Sequence, residues 1–154
     1  MVKKLRLESS GVNRDYTIIG ISCHLRDYRI TYLINKHLHF NLKKTHDFQS
    51  VPVKGASSLN YSFYYFTHQE RKVTYYLLSN HHPESKLIPS LRQTDYFLIA
   101  EAELEQKELQ EILKILGTIP NIIASFVVDL TAIKNIDYLL TDLELHMIEI
   151  RKKG

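Results

Sequence analysis

The chain has 154 residues, of which 44% are hydrophobic and 24% are charged, a balance that suits one folded domain. The formal net charge of +3 is too small to indicate a polyanionic partner by itself. A single cysteine excludes an internal disulfide, and no apolar run approaches the roughly 20 residues of a membrane-spanning helix. We therefore expect one cytoplasmic domain over residues 1–154, without a membrane partner.

The first part of the chain mixes strand and helix patterns. Alternation over Leu5–Leu7 predicts a short first strand. Apolar residues three and four apart predict a helix from about Ser22, as N-cap, to about His37, while Tyr16–Ile21 fits either a strand or a helix. Pro52 limits its surroundings to an edge strand or an extended loop.

The middle of the chain carries a hairpin pattern. Asn60–Thr67 and Lys72–Ser79 are rich in Tyr, Phe, Val and Thr, and the polar residues 68–71 separate them. This composition predicts two antiparallel strands joined by a short turn. A loop is expected to follow over Asn80–Ser85, which contains Pro83.

The last part of the chain alternates between apolar runs and helical stripes. Tyr96–Ala100 and Ile122–Leu130 are typical of central strands. Between them, acidic residues followed by an apolar stripe, Gly117 and Pro120 predict a helix. Spacings of three and four over Ile133–Ile150 predict a C-terminal amphipathic helix, and a competing alternation leaves a terminal strand as the alternative.

The order of these elements predicts an α+β domain. We expect a mostly antiparallel sheet of about five strands, with two or three helices packed on one side of it. Five scattered glycines form no phosphate-binding loop, and the motifs of zinc proteases and serine hydrolases are absent from the sequence. The sequence therefore predicts neither a cofactor nor an enzymatic activity.

One cysteine and several histidines raise the question of a reactive site. Cys23 precedes His24, but neighbouring residues on a helix point about 100° apart, so we do not expect a hydrogen-bonded dyad. We expect Cys23 to be a buried structural cysteine. Two histidine pairs lack a carboxylate at a ligand spacing: His37 with His39, and His81 with His82. We expect no catalytic residue and no metal ligand.

The predicted hairpin is crowded with aromatic residues, and Arg71 and Lys72 lie beside its turn. Aromatic rings on a sheet face can stack on the bases of single-stranded RNA. The candidate stacking residues are Tyr61, Tyr64, Tyr75 and Tyr76. The alternative is ordinary cross-strand packing of these rings in the core.

The segment Ile88–Tyr96, which reads IPSLRQTDY, resembles the signature of the IPExxxVDY family of small bacterial proteins. Ser90 and Thr94 stand where that family has Glu and Val. Five other segments resemble the family in the same order: Gly20–Ser22, His24–Leu25, Asp27–Arg29, Asn35–Lys36 and Tyr76–Asn80. The likeness extends to about Leu140, so residues 141–154 would be a C-terminal extension.

The resemblance implies a bacterial cytoplasmic protein with no known cofactor or substrate. It singles out a structural motif made of Ile88, Pro89, Asp95, Tyr96, Asp27 and Arg29. Pro89 would fix a turn, Asp95 would accept backbone N–H groups where the strand begins, and Tyr96 would enter the core. Asp27 or Arg29 would supply a partner for such a carboxylate.

Three functions are compatible with these patterns. We expect a non-enzymatic module that binds a protein partner or forms a homodimer, with the apolar C-terminal stripe as the docking surface if the domain leaves it uncovered. RNA binding by the aromatic hairpin and the basic termini is the alternative. A small hydrolase that uses Cys23 is the third hypothesis, and it requires a thiol with a lowered pKa.

Overall fold

The structure, a computed structural model, describes residues 16–50 and 57–153. The elements of that part are, in chain order, β1 (Thr17–Cys23), α1 (Asp27–Leu38), β2 (Lys43–Lys44), β3 (Phe48–Ser50), β4 (Leu59–Tyr61), β5 (Phe63–Thr67), β6 (Thr74–Ser79), β7 (Tyr96–Ala100), α2 (Gln106–Thr118), β8 (Ile122–Val127), a 3₁₀ turn (Leu130–Ala132) and α3 (Ile136–Lys153). The strand predicted at Leu5–Leu7 and the extended segment predicted around Pro52 lie outside the described residues.

Six strands form one antiparallel sheet in the order β2-β5-β6-β7-β1-β8. Strands β3 and β4 pair separately as a small two-stranded sheet. The predicted α+β class is confirmed, with one strand more in the main sheet than the five expected. The predicted hairpin is also confirmed, because β5 and β6 pair from Phe63 with Leu78 to Thr67 with Thr74.

Both faces of the main sheet are covered by helices. One face packs Ile21 and Leu98 against α1 and α2, and the other packs Ile18 and Phe97 against α3 and the small sheet. The expectation that all helices lie on one side is therefore wrong. The physical reason lies in β6 and β7, in which every residue is buried, so neither face of these strands can be left to water.

The first helix begins later than predicted, because a strand occupies the residues around its predicted N-terminus. Ser22 does not cap a helix, because it lies in β1 and its hydroxyl donates a hydrogen bond of 2.8 Å to the Gln93 carbonyl. Strand β1 pairs with β7 on one side and with β8 on the other, so tertiary pairing overrides the helical spacing of its apolar residues. Helix α1 begins at Asp27 and ends at Leu38, close to the predicted end.

The C-terminal apolar stripe is helical and lies in the core. Leu140, Leu143, Met147 and Ile150 of α3 are all buried in the cluster that covers one face of the sheet. The domain therefore covers this stripe itself, so the condition under which the stripe would be a docking surface is not met. Among the described residues, no helix is long and apolar enough to cross a membrane.

Candidate functional site

The end of β1, the end of β6 and the start of β7 meet at one end of the sheet. Cys23 ends β1, Asn80 directly follows β6, and Asp95 directly precedes β7. These three positions are adjacent because β7 runs antiparallel to both β1 and β6, with Tyr96 opposite Ile21 and Ser79. This end of the sheet is the first candidate site.

A single buried asparagine organises the segment 87–95. The Asn80 side-chain nitrogen donates hydrogen bonds of 3.0 Å to the Leu91 carbonyl and 2.8 Å to the Thr94 carbonyl. Its side-chain oxygen accepts a hydrogen bond of 2.8 Å from the Ile88 N–H. Asn80 is fully buried, so water cannot replace these partners. Sequence reasoning placed this residue in a loop and did not foresee its role.

Asp95 joins three chain segments. One carboxylate oxygen accepts a hydrogen bond of 2.8 Å from the Cys23 N–H, the kind of bond expected of this residue. The other oxygen contacts Nε2 of His81, whose Nδ1 lies 2.6 Å from the Lys86 ammonium. The carboxylate partner is thus the His81 imidazole rather than Asp27 or Arg29.

Asp27 and Arg29 lie on α1, away from the signature. Burial raises the pKa of the Asp27 carboxyl, but hydrogen bonds from the Tyr64 hydroxyl and the Tyr28 N–H, together with Lys44, outweigh it and leave the pKa below its usual value. The Tyr64 hydroxyl is 3.1 Å from the Asp27 carboxylate. Arg29 is exposed, and within the described ranges neither residue forms an ion pair or a hydrogen bond with Asp95.

Cys23, His81 and Asp95 come together, but their geometry is structural. Cys23 is buried, and burial followed by the negative charge of Asp95 raises the pKa of its thiol. A thiol that stays protonated at neutral pH is a weak nucleophile. Both ring nitrogens of His81 are already engaged, by Asp95 and Lys86, so the imidazole has no free nitrogen to act as a base.

Alkylation of Cys23 tests this assignment. We expect iodoacetamide to modify native Cys23 at least about tenfold more slowly than the urea-unfolded chain, because burial lowers both the thiolate fraction and the access of the reagent. The native rate is expected to keep rising with pH beyond the point at which the rate of the unfolded chain levels off, since burial raises the pKa of the Cys23 thiol above its usual value. Mass spectrometry of timed samples measures both rates. A native rate equal to the unfolded rate would restore the hydrolase hypothesis.

The four tyrosines predicted to stack on RNA lie inside the domain. Tyr61, Tyr64, Tyr75 and Tyr76 are at most 6% exposed. Stacking on a base requires an open ring face, so these residues cannot form the predicted surface without unfolding the hairpin. Instead, Tyr76 donates a hydrogen bond of 2.7 Å to Glu101, and Tyr61 donates one of 2.9 Å to the Ser85 carbonyl. The structure therefore shows the alternative, in which these rings pack in the core.

Strand β8 forms an exposed edge, although its apolar run predicted a central strand. It pairs with β1 on one side, and Ile123 and Val127 are 64% and 44% exposed. The Val128 N–H donates to the Ile18 carbonyl at 2.8 Å. Because backbone groups alternate in direction along a regular antiparallel strand, those of Ser125 and Val127 point away from β1. At Ile123 the alternation is interrupted, because the register with β1 shifts between Ser22 and Cys23. β8 therefore offers an uncharged row of N–H and C=O groups at the second candidate site.

The opposite edge of the same sheet is built differently. It consists of β2, which has only two residues, Lys43 and Lys44, and both are exposed. Short length and lysine side chains are the usual protection of a sheet edge against pairing with another strand. β8 has six residues, Ile122–Val127, and none of them is charged. Of the two edges, only β8 is suited to strand addition.

The chain has no match among protein-family models, curated proteins or solved structures. Within the described residues, no group of three or more His, Cys, Asp or Glu side chains is placed to hold a metal ion. A function therefore has to be inferred from the geometry of the two candidate sites. The residues around Asp95 connect segments of the fold, whereas the β8 edge faces solvent.

Proposed function

We propose that this chain is a non-enzymatic module that self-associates, with β8 of one copy pairing antiparallel with β8 of a second copy. The contrast between the two sheet edges supports this proposal, because one is short and guarded by lysines and the other is long, apolar and uncharged. Pairing would join two six-stranded sheets into one continuous sheet. It would also cover Ile123 and Val127, which are unusually exposed for apolar residues on a strand.

The sizes of the side chains favour one register for this pairing. A two-fold axis at Ser125 sets Ser125 opposite its own copy and Ile123 opposite Val127 of the second copy. Ser125, whose backbone groups point outward, then forms a hydrogen-bonded pair with its own copy through two N–H···O bonds. An axis at Phe126 would instead set the large Phe126 side chains of the two copies opposite each other, so we propose pairing centred on Ser125.

The side chains complement each other in the same register. Ile123 and Val127 of the second copy lie near each other at each end of the pairing, so the contact there is apolar. On the opposite face, the small Ala124 lies across from the large Phe126 of the second copy. Phe126 already lies over Gly20 of β1, where a Cβ would approach its ring tip to 2.5 Å, so the ring lies over the sheet and leaves space beyond the edge.

Light scattering coupled to size-exclusion chromatography tests the proposal. We expect the wild-type chain to elute as a dimer at about 100 μM, and Val127→Lys to elute as a monomer, because it brings a charge into the apolar pair with Ile123. Tyr138→Lys, an exposed position on α3, is the matched control and is expected to remain dimeric. A monomeric wild-type chain, or a dimeric Val127→Lys, would contradict the proposal.

Crosslinking tests the register. In Ser125→Cys the two introduced thiols would face each other across the axis, at a Cα separation of about 5.5 Å that a disulfide can bridge. We expect mild oxidation to convert this variant to a covalent dimer, seen on a non-reducing gel. Ser58→Cys, exposed and outside the main sheet, is the control and is expected to stay uncrosslinked. Equal crosslinking of the two variants would exclude this register.

A further inference from the structure

Exposed aromatic and basic side chains gather on one side of α1. Tyr28 and Tyr32 are 65% and 54% exposed and lie one helical turn apart. Lys36 continues the stripe by another turn, and Arg29 is exposed next to Tyr28. The only acidic residue of α1 is Asp27, whose carboxylate is engaged by Tyr64 and Lys44. The free face of this helix is therefore aromatic and positively charged.

Strand β2 extends this surface with two lysines. The Asn35 side chain exchanges two hydrogen bonds with the Leu42 main chain, at 2.9 and 3.1 Å, and so attaches the segment before β2 to α1. Residues seven apart lie on nearly the same side of a helix, so Tyr28 faces the same way as Asn35. Lys43 and Lys44, which directly follow Leu42, thus lie on the side of α1 that carries the exposed tyrosines.

A groove continues from this surface along the sheet edge. It encloses about 710 Å³ and runs from His39, just after α1, past Lys43 and Lys44 to Tyr65 and Phe66 on β5. It exists because β2 is only two residues long and pairs with Tyr64 and Tyr65, so β5 extends beyond it. A flexible chain that carries negative charge and flat rings would match both the groove and the stripe.

From this arrangement we infer that the α1–β2 surface binds single-stranded nucleic acid. Tyr28 and Tyr32 are placed to stack on two successive bases, since any base offers a flat face to an aromatic ring. Arg29, Lys36 and Lys43 are placed to contact the phosphates. This site differs from the hairpin surface predicted from the sequence, whose tyrosines are buried. It is also independent of the proposed dimer, because β2 and β8 are opposite edges of the sheet.

Fluorescence anisotropy with a labelled 12-nucleotide oligouridine RNA tests this inference. We expect binding at 50 mM KCl that weakens about 20-fold at 200 mM, as three phosphate contacts on a single strand predict. Tyr28→Ala and Tyr32→Ala are each expected to weaken binding about tenfold through lost stacking. Tyr138→Ala removes an exposed tyrosine on the other face of the sheet and is the matched control, with unchanged affinity expected.

Three results would overturn the inference. One is the absence of binding at 50 mM KCl by a protein whose circular dichroism shows it to be folded. Another is equal affinity of the wild type and a Tyr28→Ala/Tyr32→Ala double variant. The third is displacement of the RNA by polyglutamate as effectively as by unlabelled oligouridine, since that would mean that the surface recognises negative charge and not bases.

Discussion

Asn80→Ala is expected to lower the free energy of unfolding by about 3 kcal/mol, at roughly 1 kcal/mol for each of three side-chain hydrogen bonds lost. The substitution leaves the Ile88 N–H and the Thr94 carbonyl without their side-chain partner, and it leaves the Leu91 carbonyl with the Thr94 N–H alone. Urea unfolding followed by circular dichroism measures the change. With a slope of about 2 kcal/mol per molar urea, the midpoint should fall by about 1.5 M.

Asn60→Ala is the control for this prediction. Asn60 is an exposed asparagine on β4, and its replacement should change the free energy of unfolding by less than about 0.5 kcal/mol. Equal effects of the two substitutions would mean that the segment 87–95 is held by other contacts. In that case Asn80 would not be the organising residue of the segment that resembles a family signature.

Several elements could be predicted because their signals are local. The hairpin of β5 and β6 follows from composition, and the helix α2 follows from its apolar stripe, the acidic residues before it and Pro120 after it. Gly117, predicted to lie past the end of this helix, lies inside it, because the helix continues to Thr118. Strand β7 was foreseen because five successive apolar residues leave no polar face. In each case, the residues that decide the structure are close together in the sequence.

The errors arose where a distant segment decides the outcome. Ser22 fits a helix N-cap locally, but pairing of β1 with β7 and β8 makes it a strand residue. An apolar run like that of β8 is compatible with a central strand and with an edge strand, because the local sequence does not determine how many strands pair with it. Whether a strand rich in aromatic residues is buried likewise depends on which elements pack over the sheet, and the local sequence does not specify those elements.

The residues of the candidate sites were foreseen only in part. Asp95 was expected to accept a backbone N–H, and it does, but its contact with His81 spans 14 residues and had no signal in the sequence. Asn80 could be recognised as central only once its burial and its three partners were known. The exposed stripe of Tyr28 and Tyr32 fits a helical spacing, yet the same spacing is typical of buried residues.

Leu143→Ala is expected to lower the free energy of unfolding by about 3 kcal/mol, within the range for leucine truncations in a core. Leu143 is fully buried in the cluster between α3 and the sheet, and truncation leaves a cavity there. Leu145→Ala on the same helix is the matched control. Leu145 is 56% exposed, so its truncation should change stability by less than about 0.5 kcal/mol.

The comparison of these two variants decides whether the last residues belong to the domain. A C-terminal extension of residues 141–154 would contribute little to folding, and then Leu143→Ala would cost no more than Leu145→Ala. Burial of Leu143 and Met147 against the sheet predicts the opposite, because α3 covers a sheet face that would otherwise expose the apolar side chains of β1, β6 and β7 to water. The same helix should therefore be required for the β8 edge to be presented at all, since β8 pairs with β1 and β1 is buried beneath α3.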